Sequence, residues 1–204
     1  MTKKTDRRKL RTKKMLRKAI IELIQEKGLK NVTVSDLTAR ADINRGTFYL
    51  HYRDVDDMLE QFQSVLLSEL KENAKKIDIK HVIQHVYQQQ GQAYPAFISI
   101  IEKFAEHADL IKVIIGPQGD PSFTSDWKQF VKERILEKLS ESQPDRDKML
   151  VPPEYLATFV ASAHTGIIQH WIETGLKESP EEIASIITRI AVQGPISTIG
   201  LIEQ

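Results

Sequence analysis

The chain has no cysteine. That excludes a disulfide framework and any thiolate metal site, and it fits a reducing, cytoplasmic setting. Long apolar runs are also missing. Runs such as Val113-Ile114-Ile115 are far too short to cross a bilayer. The positive start, MTKKTDRRKLRTKK, is followed by no apolar stretch of the kind a secretory signal needs. There is no convincing strand, no internal repeat and no low-complexity segment. No nucleophile motif is found, and GPQGD (residues 116–120) lacks the Lys of a phosphate-binding loop. His81 and His85 stand four apart on a predicted helix, a spacing that can hold a metal. Val82, Ile83 and Gln84 between them supply no Glu of an H-E-x-x-H motif. These absences point to a protein that is not an enzyme and uses neither cofactor nor metal.

What is present is a charge asymmetry. The 204 residues carry a net charge of only +1 and an ordinary globular composition, 41% hydrophobic and 28% charged. Residues 1–53, however, hold 15 Lys and Arg against 5 Asp and Glu, a net of +10, and the remainder carries −9. A basic quarter joined to an acidic remainder points to two different partners, nucleic acid being the leading one for the basic part.

Helical periodicity runs through the chain. Lys9 to Lys27 is predicted as an amphipathic helix with Leu10, Met15, Leu16, Ala19, Ile20, Leu23 and Ile24 on its apolar side. Its polar face is basic from Arg7 to Lys18, and Gly28 ends it. Thr33 with Asp36 reads as a capping box opening a second helix that carries Val34, Leu37 and Ala41. Asn44 reads as the cap of a third, Arg45 to about His51, although "TFYLHY" alone resembles a strand. Two short helices joined by a tight turn make a helix-turn-helix. Asp54 then caps a long helix with Met58, Leu59, Phe62, Val65, Leu66 and Leu70 in register. Further helices are predicted over 79–90, from Pro95 bending into DLIKVII, from Pro121 or Ser122 to Leu139, over 153–175, and from Ser179–Pro180 onward. The expectation is an all-α fold of about nine helices. It divides into a helix-turn-helix DNA-binding domain over 1–54 and a helical effector-binding and dimerisation domain over 55–204.

The ordered stretch TVSDLTARADINRGTFYLHYRDVDDMLEQF resembles the N-terminal domain of TetR-family transcriptional regulators, over residues 9 to 62. GPQGDPSF and HWIETGLKESPEEIA are similar to the branch of that family that includes activators of dihydroxyacetone kinase operons. Two positions depart from the family pattern. Asp42 stands where a turn glycine is common, and Asp can enter left-handed backbone space. Val55 stands where the family commonly places a Lys on a phosphate, a role Arg53 replaces only in part.

The expected chemistry follows. Arg45 is suited to grip guanine through two hydrogen bonds. Thr47 is suited to a thymine methyl or a phosphate, and Gly46 lets the backbone approach the duplex. Tyr49 and His51 are suited to phosphates or bases. Tyr52 is expected to pack its ring inward with its hydroxyl toward a phosphate. Thr33 offers a helix N-terminus to a phosphate. Phe48 is assigned to the core, and Leu50 is left open between core and DNA. A reader this small needs two copies on a palindromic double-stranded operator, with half-sites about 34–36 Å apart or a multiple of that. The homodimer is expected through residues 154–174 and 180–192, where ASAHTG is flanked by Phe159, Ile167, Ile168 and Trp171. The resemblance implies a small-molecule effector in the C-terminal part, with Tyr87, Tyr94, Phe97, Phe104, Trp127, Phe130, Tyr155, Phe159 and His164 as pocket candidates. The leading expectation is a repressor released by that effector. The alternatives are a co-activator answering to a protein partner and a nucleoid-associated binder on the same fold.

Overall fold

The first helix sets the frame for the basic part of the chain. In the computed structural model, which describes residues 3–88, 92–116, 119–120, 122–142 and 149–194, α1 spans Lys3–Lys27. It starts six residues before the expected Lys9. Leu16, Ala19, Ile20, Leu23 and Ile24 recur at three- and four-residue spacing and are all buried, each large one contributing roughly 1.5–3 kcal/mol. Leu10 departs from that stripe and is exposed. A one-turn 3-10 helix, Leu29–Asn31, leads to α2 (Val34–Arg40) and α3 (Arg45–Tyr49). The helix α4 (Val55–Ala74) follows, then α5 (Ile79–Gln88), α6 (Pro95–Glu106), α7 (Ala108–Ile115), α8 (Ser122–Ser142), α9 (Pro153–Glu173) and α10 (Pro180–Gln193). The all-α expectation holds, with ten α-helices among the described residues because the stretch from Pro95 divides at His107. None of the described helices is long and apolar enough to cross a membrane.

Packing sorts the chain into two units, Met1–Leu66 with Asp109–Phe123, and Leu67–Ala108 with Thr124–Gln204. The N-terminal unit therefore takes in more than residues 1–54. It includes the first part of α4 and, from far along the chain, most of α7. Val113 of α7 joins Leu16, Ile20, Leu37, Phe48, Tyr52 and Met58 in one core. Gln63 of α4, itself buried, donates to Asp120 at 3.1 Å, and Asp120 accepts from the Ser122 backbone N–H and hydroxyl at the head of α8. The turn before it needs glycine at 119, where a Cβ would stand 2.0 Å from the Ile114 carbonyl oxygen. The composition of GPQGDPSF, residues 116–123, and of SQPDRDKMLVPP predicts a turn and a loop, of which residues 117, 118, 121 and 143–148 lie outside the described residues.

In the C-terminal unit α10 packs on α5, α6 and α9. Its start follows the sequence expectation closely. Ser179 accepts from the Glu182 N–H, Glu182 accepts from the Ser179 N–H, and Pro180 occupies the first turn. Before it, Leu176 takes φ 56°, and the buried Trp171 donates its indole N–H to the Glu178 carbonyl at 2.9 Å, closing the connection between α9 and α10.

Candidate functional site

The basic unit is held in shape by its own capping and ion pairs. At the start of α2 the Thr33 oxygen accepts from the Asp36 N–H at 3.2 Å, and the Asp36 carboxylate accepts from the Thr33 N–H and hydroxyl. Lys27 of α1 reaches the same carboxylate at 2.6 Å. The Lys27 contact, with the Thr33 hydrogen bonds, holds the Asp36 carboxyl at about 2. Arg40 at the other end of α2 pairs with Glu22 and Glu26 of α1, which ties the two helices together. Between α2 and α3, Asp42 takes φ 50°, the left-handed conformation the turn requires. Asn44 has the extended backbone of an N-cap, but its side chain caps nothing.

The third helix sorts its residues by side. Phe48 is wholly buried and packs at a tilt against Tyr52, ring centres 5.6 Å apart, and Tyr52 in turn meets Phe62 edge-on at 5.9 Å. Tyr52 is 3% exposed. Its hydroxyl is enclosed without a partner, and burial, with Asp57 nearby, pushes it up to about 12. The expectation that this hydroxyl reaches a phosphate is therefore corrected. Position 52 lies four after Phe48, on the inner face, and the whole side chain belongs to the core.

Outward stand Arg45, Gly46, Tyr49 and Leu50, all exposed, with Thr47 and His51 half-buried beside them. Tyr49 is 57% exposed and Leu50 81%. Arg45 donates through Nη2 to the Ser35 hydroxyl at 2.8 Å, a single hydrogen bond to an uncharged acceptor that orients the guanidinium at the surface. A Cβ at Gly46 would meet nothing within 4 Å. Nothing in the protein's own packing asks for glycine there, so the open side of the helix is free for something else to approach. His51 is held below its usual value, first by burial and then by Lys13 and Lys9 of α1. That places the positive start of α1 next to the end of α3. Val55 is half-buried against the core, which explains why it offers no charge. Exposed Arg53 is turned onto Asp57 at 3.4 Å.

The C-terminal unit contains a cavity of about 310 Å³, walled by α5, α6, α8, α9 and α10 with the end of α4. Phe97, Trp127, Phe130 and His164 line it, four of the nine aromatic and histidine residues expected to do so. The other five are corrected or fall elsewhere. Phe104 is in the core behind Trp127 at 5.2 Å. Tyr94 packs edge-on against Phe97 and His85 outside the lining. Tyr155 and Phe159 are surface residues at 75% and 50% exposure. The Tyr87 side chain lies outside the described residues.

Sequence profiles match both parts of the chain. Residues 16–62 fit "Bacterial regulatory proteins, tetR family", and residues 91–193, half of the chain, fit "Transcriptional regulator C-terminal region".

The chain belongs to the TetR family of transcriptional regulators.

Over 59 residues this TetR-family chain is 39% identical to the HTH-type transcriptional regulator YxbF of Bacillus subtilis. That match takes in 28% of the chain and only 16% of YxbF's length. Solved structures share its fold at low identity. The dihydroxyacetone kinase operon activator DhaS is 20% identical with a TM-score of 0.56, over 95% of this chain and 98% of DhaS. A TetR regulator from Streptococcus agalactiae is 21% identical with a TM-score of 0.60, over 92% and 97%. FadR from Bacillus subtilis, solved with stearoyl-CoA, is 14% identical with a TM-score of 0.56, over 88% and 97%.

Among residues that sequence reasoning did not single out, Ser35 orients Arg45 of the regulator. Arg134 and Lys138 line the cavity. Their signal was present, since Trp127, Val131, Ile135 and Leu139 mark one face of α8 with Phe130, Arg134 and Lys138 beside it. Aromatic content alone does not reveal it.

Proposed function

We propose that this TetR-family regulator is a cytoplasmic homodimer that reads a palindromic operator through α3 and represses until a small molecule occupies the cavity of its C-terminal unit. The observation that carries the reading face is Gly46. It lies between the exposed Arg45 and the half-buried Thr47 on a side where even a methyl group meets no protein atom. Arg45 reads a base edge and Tyr49 a phosphate or base. Thr47, His51, Lys9 and Lys13 add phosphate contacts, and Thr33 keeps α2 in register while its end faces the backbone. In this role the regulator binds and releases DNA and carries out no catalysis.

The dimer face is the outer side of α9 and α10. Phe159 and Ile186 are exposed there, Gly166 has nothing within 4 Å of its missing Cβ, and with Ile167, Ile183 and Ile190 they line a surface groove of about 550 Å³. An exposed apolar groove with a glycine on its helix suits the close approach of a second copy. The stearoyl-CoA complex of the Bacillus subtilis FadR supports a small molecule as effector. The helix α4 contributes to both units and is the route by which the effector acts on the reading heads.

Gly46→Ala tests the face directly. Alanine is the better helix former by about 0.5–1 kcal/mol, so the melting temperature holds or rises while operator affinity falls at least tenfold. Unchanged operator affinity would sink the assignment of this face. Repression is checked by deleting the gene: transcripts beside the selected operators should rise, and a fall would make the regulator an activator.

A further inference from the structure

The cavity in the C-terminal unit has a charge character that none of the residues expected from aromatic content reveals. Among the described residues that line it there is no Asp and no Glu. Three lining residues are polar, Arg134, Lys138 and His164, and two of these are cations. The remainder of the lining is apolar. A cationic ligand would find no counter-charge in such a wall.

The helix α8 arranges this wall along its axis. Trp127, Phe130, Val131, Arg134, Ile135 and Lys138 all face the cavity, and from Trp127 to Lys138 the helix rises about 16 Å. The Trp127 end is deep, since that residue is 4% exposed. The Arg134 and Lys138 side chains, at 19% and 21%, stand nearer the solvent. The deep end is apolar, and the outer end carries two cations, each paired with an exposed carboxylate, Arg134 with Glu137 and Lys138 with Glu141.

Polar atoms without partners stand along the same wall. The Trp127 indole N–H is enclosed with no acceptor, as is the Nε–H of Arg134. Arg134 donates Nη1 to Glu137 and Nη2 to the Lys75 carbonyl. Those two bonds fix the guanidinium plane, and its Nε–H is an enclosed donor without a partner. Glu137 is well exposed, so its pairing is the kind of surface interaction that an incoming anion can replace. Across the cavity, burial holds His164 at about 4. Its ring is neutral at neutral pH and its enclosed Nε2 has no partner. A buried donor without an acceptor calls for one from a ligand.

We infer that the cavity takes a monoanionic amphiphile, a carboxylate on an unbranched apolar chain, with the chain against Phe97 and Trp127 and the carboxylate at Arg134 and Lys138. This assignment rests on the reading of the cavity as the effector site, and its test keeps the two apart.

Titration calorimetry of the full-length protein at neutral pH with decanoate, decan-1-ol and decylammonium holds the chain constant and changes only the head. Decanoate binds at least tenfold tighter than decylammonium, with decanol between them. Arg134→Gln brings decanoate down to the level of decanol, Arg134→Lys restores part of the difference, and Val160→Trp, which fills the cavity, abolishes all three. Circular dichroism melts establish that each variant is folded. If Arg134→Gln does not fold, Lys138→Gln serves in its place and lowers decanoate affinity by a smaller factor. Decylammonium binding as tightly as decanoate would overturn the assignment, as would a folded Arg134→Gln with an unchanged preference, or a wild type that binds none of the three. Decanoate that binds in this pattern yet leaves the protein's affinity for its selected operator unchanged supports the ligand assignment and contradicts the effector reading.

Discussion

Phe48 and Trp127 are both large rings with almost no solvent exposure, yet their surroundings differ. Phe48 is closed in by Leu16, Ile20, Leu37, Tyr52 and Met58, a filled core beneath an exposed polar face. Trp127 meets Phe104 and Phe130 on two sides and a cavity on another. The N-terminal unit, the enclosed Tyr52 hydroxyl apart, keeps its unmet hydrogen-bonding and charge on the outside, where a polyanion can reach it. The C-terminal unit keeps part of its own on the inside, where only a small molecule can. The same physics of burial thus produces a rigid reader in one unit and a receptor in the other.

The comparison breaks most easily at Phe48. Phe48→Ala empties a filled core and should cost about 3–5 kcal/mol, visible as a large drop in the urea midpoint together with loss of DNA binding. Survival of both would mean the small core is not the filled one described.

Acid separates the two units next. His164 has its folded value at about 4 against an ordinary 6.5. The folded state then binds fewer protons than the unfolded one, and stability falls as pH drops from about 6.5 toward 4. The loss is at most on the order of 3 kcal/mol, because the ring faces a cavity. Asp36 is depressed to about 2 from 3.8, so its contribution is intact above 3.8 and disappears only between there and about 2. Thermal melts across pH should show two windows, with His164→Gln shrinking the upper one, to which His51 also contributes, and leaving the lower one in place.

A matched pair of enlargements sharpens the contrast. Ala19→Val adds volume to the filled core and should cost about 1–3 kcal/mol. Val131→Leu adds volume at the cavity wall and should stabilise by about 0.5–2 kcal/mol. Equal signs in denaturant titrations would remove the distinction between filled and hollow. The smallest effect is Thr33→Ala, about 1 kcal/mol from the lost cap of α2, read as a modest shift of the same midpoint.

Much of the N-terminal unit was legible because its information is local. Caps at Thr33 and Asp54 and a positive-φ Asp42 fix the turns, and once α3 is a helix the four-residue step from Phe48 to Tyr52 places both rings inward. The role given to the Tyr52 hydroxyl failed because ring and hydroxyl were assigned to different environments, and the core encloses both. The joining of α7 to the first unit was not legible, since Val113 shares a core with Leu16 and Phe48 across a long sequence separation. Nor was the cavity. Its lining depends on how α6, α8 and α9 pack, and no local pattern distinguishes Trp127, which borders a void, from Phe104, which does not.

The central claim is that α3 reads sequence through Arg45. It is tested most directly by sequencing the genomic fragments that the purified protein and its Arg45→Ala variant select. The wild type should enrich an inverted repeat with half-sites about one helical turn, or a multiple of it, apart. Arg45→Ala should lose about 1–3 kcal/mol of preference at one base pair in each half-site. No enrichment above random DNA, or an identical motif from the variant, would contradict it.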